Sequence, residues 1–157
     1  MAARDPELVH GTAIALAGRA ALIRGVSGAG KSDLALRCLM QPATVLIPEQ
    51  AILVADDQVL VEPAGDHLIL RCPPTIRGRL EVRGLGLVTL PWIEPATLQL
   101  VVDLVAPEQV ERLPEPASVT ILGVSVNHLL LTPFEASAPL KLLLALCDHV
   151  TSAWQGN

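Results

Sequence analysis

An α/β domain organised around a mixed, strand-rich sheet is what three features of this sequence predict. The residues Gly25 to Ser32 (GVSGAGKS) spell G-x-x-x-x-G-K-S, preceded by the short apolar run Arg19 to Arg24 and followed by the amphipathic run Ser32 to Met40. That strand, loop, helix order is the setting a phosphate-binding P-loop requires. Elsewhere at least seven short apolar or alternating segments accompany only two helical patterns, whereas an ordinary P-loop fold alternates strand and helix around a parallel sheet. With 157 residues, 51% hydrophobic and 17% charged, the chain fits one globular domain, 1–157, with its own core.

The elements follow from local pattern. Leu8 to Ala17 reads as one strand and Ala20 to Ile23 as the next, joined by a turn at Gly18. The P-loop helix runs to Met40, and Pro42 closes it. Ala51 to Ala55 is a buried-strand run ending in Asp56-Asp57; Gln58 to Glu62 continues it until Pro63 and Gly65 break it. His67 to Cys72 alternates as a strand, and Thr75 to Val82 fits no single type. Gly84-Leu85-Gly86 is a turn before the apolar Leu87 to Leu90. Leu98 to Leu104, Ser118 to Leu122 and Asn127 to Thr132 are strands, the first two separated by the proline-dotted Pro107 to Pro116. Leucines at helical spacing make Pro139 to Thr151 a terminal helix packed on the sheet.

A triphosphate is a cluster of negative charge. Gly25, Val26, Ser27, Gly28, Ala29, Gly30, Lys31 and Ser32 supply backbone N–H groups that curl around it, an ammonium and a magnesium-binding hydroxyl. The chain is therefore a P-loop nucleotide-binding domain, with Lys31 and Ser32 expected exposed on the loop. A net charge of −5 excludes an ordinary nucleic-acid binder, although Arg71, Arg77, Arg79 and Arg83 fall in one segment and suit an anionic ligand. For one or two of them the plainer reading is a solvated turn. Cys38, Cys72 and Cys147 are odd in number and widely spaced, as reduced, buried fillers would be. Neither a membrane span nor a signal peptide stands out, so the cytoplasm is the expected compartment.

A P-loop does not choose between hydrolysis, transfer and binding; Asp56 and Asp57 bear on that choice. They close an apolar strand, where ligands collect in open α/β sheets. Consecutive strand side chains face opposite ways, so both act only if the strand bends there. One carboxylate then holds magnesium or its water, and the other accepts a proton from a hydroxyl nucleophile. The alternative is one site aspartate with a solvent-facing neighbour, Asp56.

The chain resembles the catalytic domain of bacterial HPr kinase/phosphorylase. The resemblance runs over residues 8–132, through His10-Gly11, GVSGAGKSDLAL (Gly25 to Leu36), VADD (Val54 to Asp57) and LEVRGLGLV (Leu80 to Val88). It implies an HPr kinase / PEP carboxykinase-like fold and a Mg- and ATP-dependent kinase. The implied partner is HPr, a small phosphocarrier of the sugar phosphotransferase system, phosphorylated on serine and dephosphorylated by phosphorolysis. Carried over by the resemblance, Lys31 is the phosphate ligand, Ser32 and Glu81 are magnesium ligands, and Asp57 is the base, with Asp56 and His10 beside it. Arg83 lies in the segment needed in both directions.

The chain departs from that pattern in four places. By the resemblance it is expected to be a short member without the amino-terminal domain. Its stretch from Lys31 to Asp57 is longer, with the excess around Pro42 to Gln50 expected as a surface excursion. Val26 replaces a polar residue. TPFEASAP (Thr132 to Pro139) offers Glu135 where long members carry arginine, which puts the phosphorylase direction in doubt. A homo-oligomer is compatible with the sequence. Two other readings stay open: a small-metabolite P-loop kinase, which normally needs an arginine-rich lid, and a non-catalytic nucleotide-binding regulator. With one phenylalanine, two tryptophans and no tyrosine, none of them between Gly25 and Asp57, little is expected to stack on an adenine ring. ATP and GTP should then compete within about tenfold.

Overall fold

The computed structural model describes residues 4–147. Among them are eleven strands and two α-helices. The strands are β1 (Glu7–His10), β2 (Thr12–Leu16), β3 (Arg19–Arg24), β4 (Ile52–Ala55), β5 (Gln58–Ala64) and β6 (His67–Arg71), followed by β7 (Arg79–Val82), β8 (Gly86–Thr89), β9 (Ala96–Leu104), β10 (Ser118–Ile121) and β11 (Val124–Leu131). Helix α1 is Lys31–Leu39 and α2 is Ala138–Leu146. Nine strands form one sheet in the order β1-β5-β6-β9-β3-β2-β4, with β10 and β11 joined through β9; β7 and β8 form a separate hairpin. The pairs β3–β9 and β9–β11 are parallel and all others antiparallel, so the sheet is mixed as expected.

Strand β9 explains how so many strands share one sheet. β3 follows it from Thr97 to Asp103. On its other edge β6 pairs with Ala96 and Thr97, and β11 takes over from Leu100 to Leu104. Both faces are covered, which is why β2 and β3 read as continuous apolar runs. Ile14, Leu16, Ala21, Ile23, Leu100 and Val102 pack towards α1 and α2 with Leu34, Leu142 and Leu146. Their alternates Ala13, Ala15, Ala20, Leu22 and Val101 join Val59, Val61, Leu68 and Leu70 in a second core. Fully burying each Leu, Val or Ile contributes about 1.5–3 kcal/mol, so aliphatic residues suffice without aromatics.

The segment expected as one strand, Leu8 to Ala17, is two. Gly11 divides it: β1 pairs with β5, whereas β2 pairs with β3 and β4. At Gly11 the chain presses against β3 so closely that a Cβ would lie 2.8 Å from the Ile23 carbonyl oxygen, while its N–H donates to the Asp57 carbonyl at 3.0 Å. Gly11→Ala is therefore expected to destabilise the fold by about 1–3 kcal/mol, since backbone on both sides must yield. A denaturant midpoint indistinguishable from that of the parent would contradict this.

Two further boundaries differ from expectation. Pro63 does not break β5, which continues to Ala64; β1 begins with Glu7 opposite Val61, so beyond Val61 a missing N–H costs no ladder bond on that side. Thr75 to Val82 resolves into a 3₁₀ turn, Pro74–Ile76, and β7. The extra residues 42–50 lie on the surface, tied down by buried Ile47 and by Gln50 Nε2 donating to the Leu39 carbonyl at 3.0 Å. The expected extension of α2 to Thr151, and Trp154, lie outside the described residues. Among the described residues no helix is long and apolar enough to cross a membrane.

Candidate active site

Gly25 to Gly30 connect β3 to α1, and Gly30 caps the helix at φ 101°, a left-handed conformation that favours glycine. The loop, the β4–β5 junction and the β7–β8 hairpin enclose a cleft of about 370 Å³. His10, Lys31, Ser32, Asp56, Asp57, Glu81 and Arg83 all line it, as do Ser27, Gly28 and Gly30 of the loop. Of the residues expected at the site, these ten gather around one cleft, whereas Gly25, Val26 and Ala29 of the loop do not line it.

Asp56 and Asp57 are separated by the backbone bend their joint action requires. Asp57 takes φ 72°, and the Gln58 N–H donates to the Asp56 carbonyl at 2.9 Å. The result corrects one alternative: Asp56 is the buried member and Asp57 the exposed one. Asp56 Oδ1 accepts from Thr12 Oγ1 at 2.8 Å and Ser32 Oγ at 2.7 Å, while Oδ2 accepts from the Glu81 backbone N–H at 3.0 Å. Asp57 Oδ1 stands 3.6 Å from His10 Nδ1 at the open rim, with both side chains more than half exposed. That is close enough for an ion pair when the imidazole is protonated, but too long for a hydrogen bond.

Neither Ser32 nor Lys31 is exposed as expected: Ser32 is half-buried with its hydroxyl on Asp56. Only 8% of Lys31 is accessible, and its Nζ donates to the Gly25 and Val26 carbonyls at 2.8 and 2.9 Å. The ammonium is parked inside the loop it serves. Beneath that loop the end of β3 is clamped. Arg24 donates from Nε and Nη2 to the two Asp103 oxygens at 2.9 and 2.8 Å, and His128 Nε2 lies 2.7 Å from Oδ2. Burial would raise the Asp103 carboxyl, but hydrogen bonds and charge from Arg24 and His128 outweigh it and hold it below the ordinary carboxylate range.

The arginines do not act as one cluster. Arg71 pairs with Glu62 at 3.1 Å; Arg77 pairs with Glu94 at 3.0 Å and lies over the Trp92 ring. Arg83, exposed at the hairpin turn, is the member of that group that lines the cleft. Burial pushes the Cys38 thiol up to about 12 and, with Glu94, the Cys72 thiol to about 11, in keeping with inert fillers.

Among the described residues no three His, Cys, Asp or Glu side chains form a metal cluster. The donor set nevertheless suits magnesium, which takes hard oxygens, one or two from protein and the rest from phosphate and water. The Ser32 hydroxyl is already held by the Asp56 carboxylate, and Glu81 lines the same cleft.

Sequence reasoning missed two residues. Thr12, the polar member of an apolar strand, holds Asp56. Phe134, distant in sequence, sits in the cleft against Gly30, where a Cβ would meet its Cζ at 3.0 Å; this corrects the expectation that no aromatic approaches the loop. Its only sequence signal is that it is the one phenylalanine of the chain.

HPr kinase/phosphorylases of Burkholderia lata and Burkholderia cenocepacia are each 38% identical to the chain over 130 residues, covering 76% of it and 38% of their own length. The chain therefore spans about two fifths of the curated relatives it matches. The Hpr(Ser) kinase/phosphatase structure from Coxiella burnetii shares the fold, with a TM-score of 0.76 at 23% identity, covering 91% of this chain and 90% of that one. The family model for the HPr Serine kinase C-terminal domain matches residues 2–144, and the chain belongs to that family.

Proposed function

We propose that this chain is a cytoplasmic, ATP- and Mg-dependent protein-serine kinase acting on an HPr-like phosphocarrier. The observation that carries the proposal is the placement of the two aspartates. Asp56 is buried and holds Ser32 beside the P-loop, while Asp57 faces outwards at the rim with His10. A carboxylate at an open rim can meet a hydroxyl presented on a folded protein. A small-metabolite kinase would instead bury it under a lid.

In this reading the P-loop N–H groups and Lys31 bind the triphosphate, and Ser32 and Glu81 would hold magnesium, which neutralises phosphate charge. Asp57 Oδ accepts the proton as the acceptor serine Oγ bonds to the γ-phosphorus and the bond to the ADP oxygen breaks. Arg83 supplies positive charge to the transferring group. The phosphorolytic direction needs a second anion in the site, and the two cations at that segment are already engaged, Lys141 with the Glu135 carboxylate at 2.6 Å and Arg37 with Asp33 and the Pro133 and Glu135 carbonyls.

Incubation with Mg-ATP and a panel of HPr-type carriers, followed by mass mapping, tests the proposal. Phosphoserine on a carrier is expected, with little pyrophosphate released when orthophosphate is added to the product. Nucleotide binding without transfer to any carrier would favour the regulator reading. Pyrophosphate release as fast as the forward reaction would overturn the directional part.

A further inference from the structure

We propose that Phe134 is the platform on which the base of the bound nucleotide stacks. This rests on reading Gly25 to Ser32 as a triphosphate cradle, and it adds the part of the ligand beyond the phosphates. The ring lies against Gly30, at the N-terminus of α1, yet 72% of the residue remains exposed. It is an aromatic face at the mouth of a cleft whose other apolar side chains are Leu36 and Val82.

The backbone that carries the ring is also held in place. Thr132 and Pro133 before it are buried, and Arg37, from the P-loop's own helix, donates to the carbonyls on either side of it, those of Pro133 and Glu135. Lys141 Nζ fixes the Glu135 carboxylate at 2.6 Å. An aromatic face anchored to the helix that carries the phosphate-binding turn loses little freedom when a flat ligand covers it.

Strand order supplies the direction. The P-loop leaves β3; β4, which ends at the aspartates, lies two strands to one side, and β11, which leads into Phe134, lies two strands to the other. A nucleotide laid across the mouth with its γ-phosphate towards Asp57 carries its base towards Phe134. Stacking tolerates any base because every base has a π-face. The platform therefore separates nucleotides from bare polyphosphate and leaves ATP and GTP nearly equivalent.

Calorimetric titration of the full chain with Mg-ATP and with Mg-tripolyphosphate tests this in the parent, Phe134→Ala and Phe134→Tyr. Phe134→Ala should lose about tenfold in ATP affinity, the scale of one aromatic–base stack, with tripolyphosphate binding unchanged. Phe134→Tyr should restore ATP affinity. Undiminished ATP binding by Phe134→Ala would overturn the inference. Equal loss of both ligands would also overturn it, making the ring a support for Gly30. A parent chain that binds neither ligand would instead refute the triphosphate cradle, and the inference with it.

Discussion

Asp57→Asn should keep Mg-ATP affinity close to that of the parent and lower phosphoryl transfer to the carrier by about 10²-fold or more, the scale of a removed general base. The substitution suits the site. Asp57 sits at φ 72°, a left-handed conformation that asparagine adopts about as readily as aspartate, so the bend after Asp56 survives. The side chain is 70% exposed and bonds to none of the groups around the P-loop serine, so the nucleotide should not notice the loss of its charge. Binding and transfer must therefore be measured on the same preparation. Lost nucleotide affinity would make Asp57 a metal ligand, and transfer at the parental rate would remove it from the chemistry.

Lys31→Ala should show the complementary pattern, losing about 10²-fold in Mg-ATP affinity through the missing charge-assisted bonds to phosphate. Stability should change far less. Among the described residues the lysine's Nζ bonds the Gly25 and Val26 carbonyls alone, and the loop there is accessible enough for water to replace it. Because the ammonium is already committed to those carbonyls, incoming phosphate must draw it out of the loop. Calorimetric titration beside a denaturant curve separates the two effects. Unchanged affinity would end the P-loop reading; a collapse in stability would mean that the parked lysine holds the loop together.

The sequence made the fold legible wherever pattern is local. β3, the P-loop and α1 declare themselves through a motif with a known setting, and β6 and β9 through apolar runs bounded by turns. Non-local pairing was not legible. Nothing between Leu8 and Ala17 announces that Gly11 changes strand partners, because the cause is the Ile23 carbonyl on another strand. In the site, the motif residues and the acidic pair could be read from spacing and resemblance. Which aspartate is buried depends on Thr12 and the Glu81 N–H, which only the folded chain brings to Asp56. Phe134 escaped for the same reason: it reaches Gly30 through the β11–α2 connection, across more than a hundred residues of sequence.

The Asp56 carboxylate joins β2 through Thr12, α1 through Ser32 and the β7–β8 hairpin through the Glu81 N–H, while its own backbone ends β4. One ionisable group is thus the junction at which four separately folded pieces of chain agree on their relative positions. Its removal leaves three donors without their shared acceptor, so that the serine hydroxyl and the hairpin with Glu81 lose their common anchor on the sheet. Slow turnover in an Asp56 variant would for that reason report misalignment of several groups at once, and could not be assigned to any single chemical step. Kinetic dissection of this site must start from its rim, at Asp57 and His10, where a side chain can change without altering the frame that holds its neighbours.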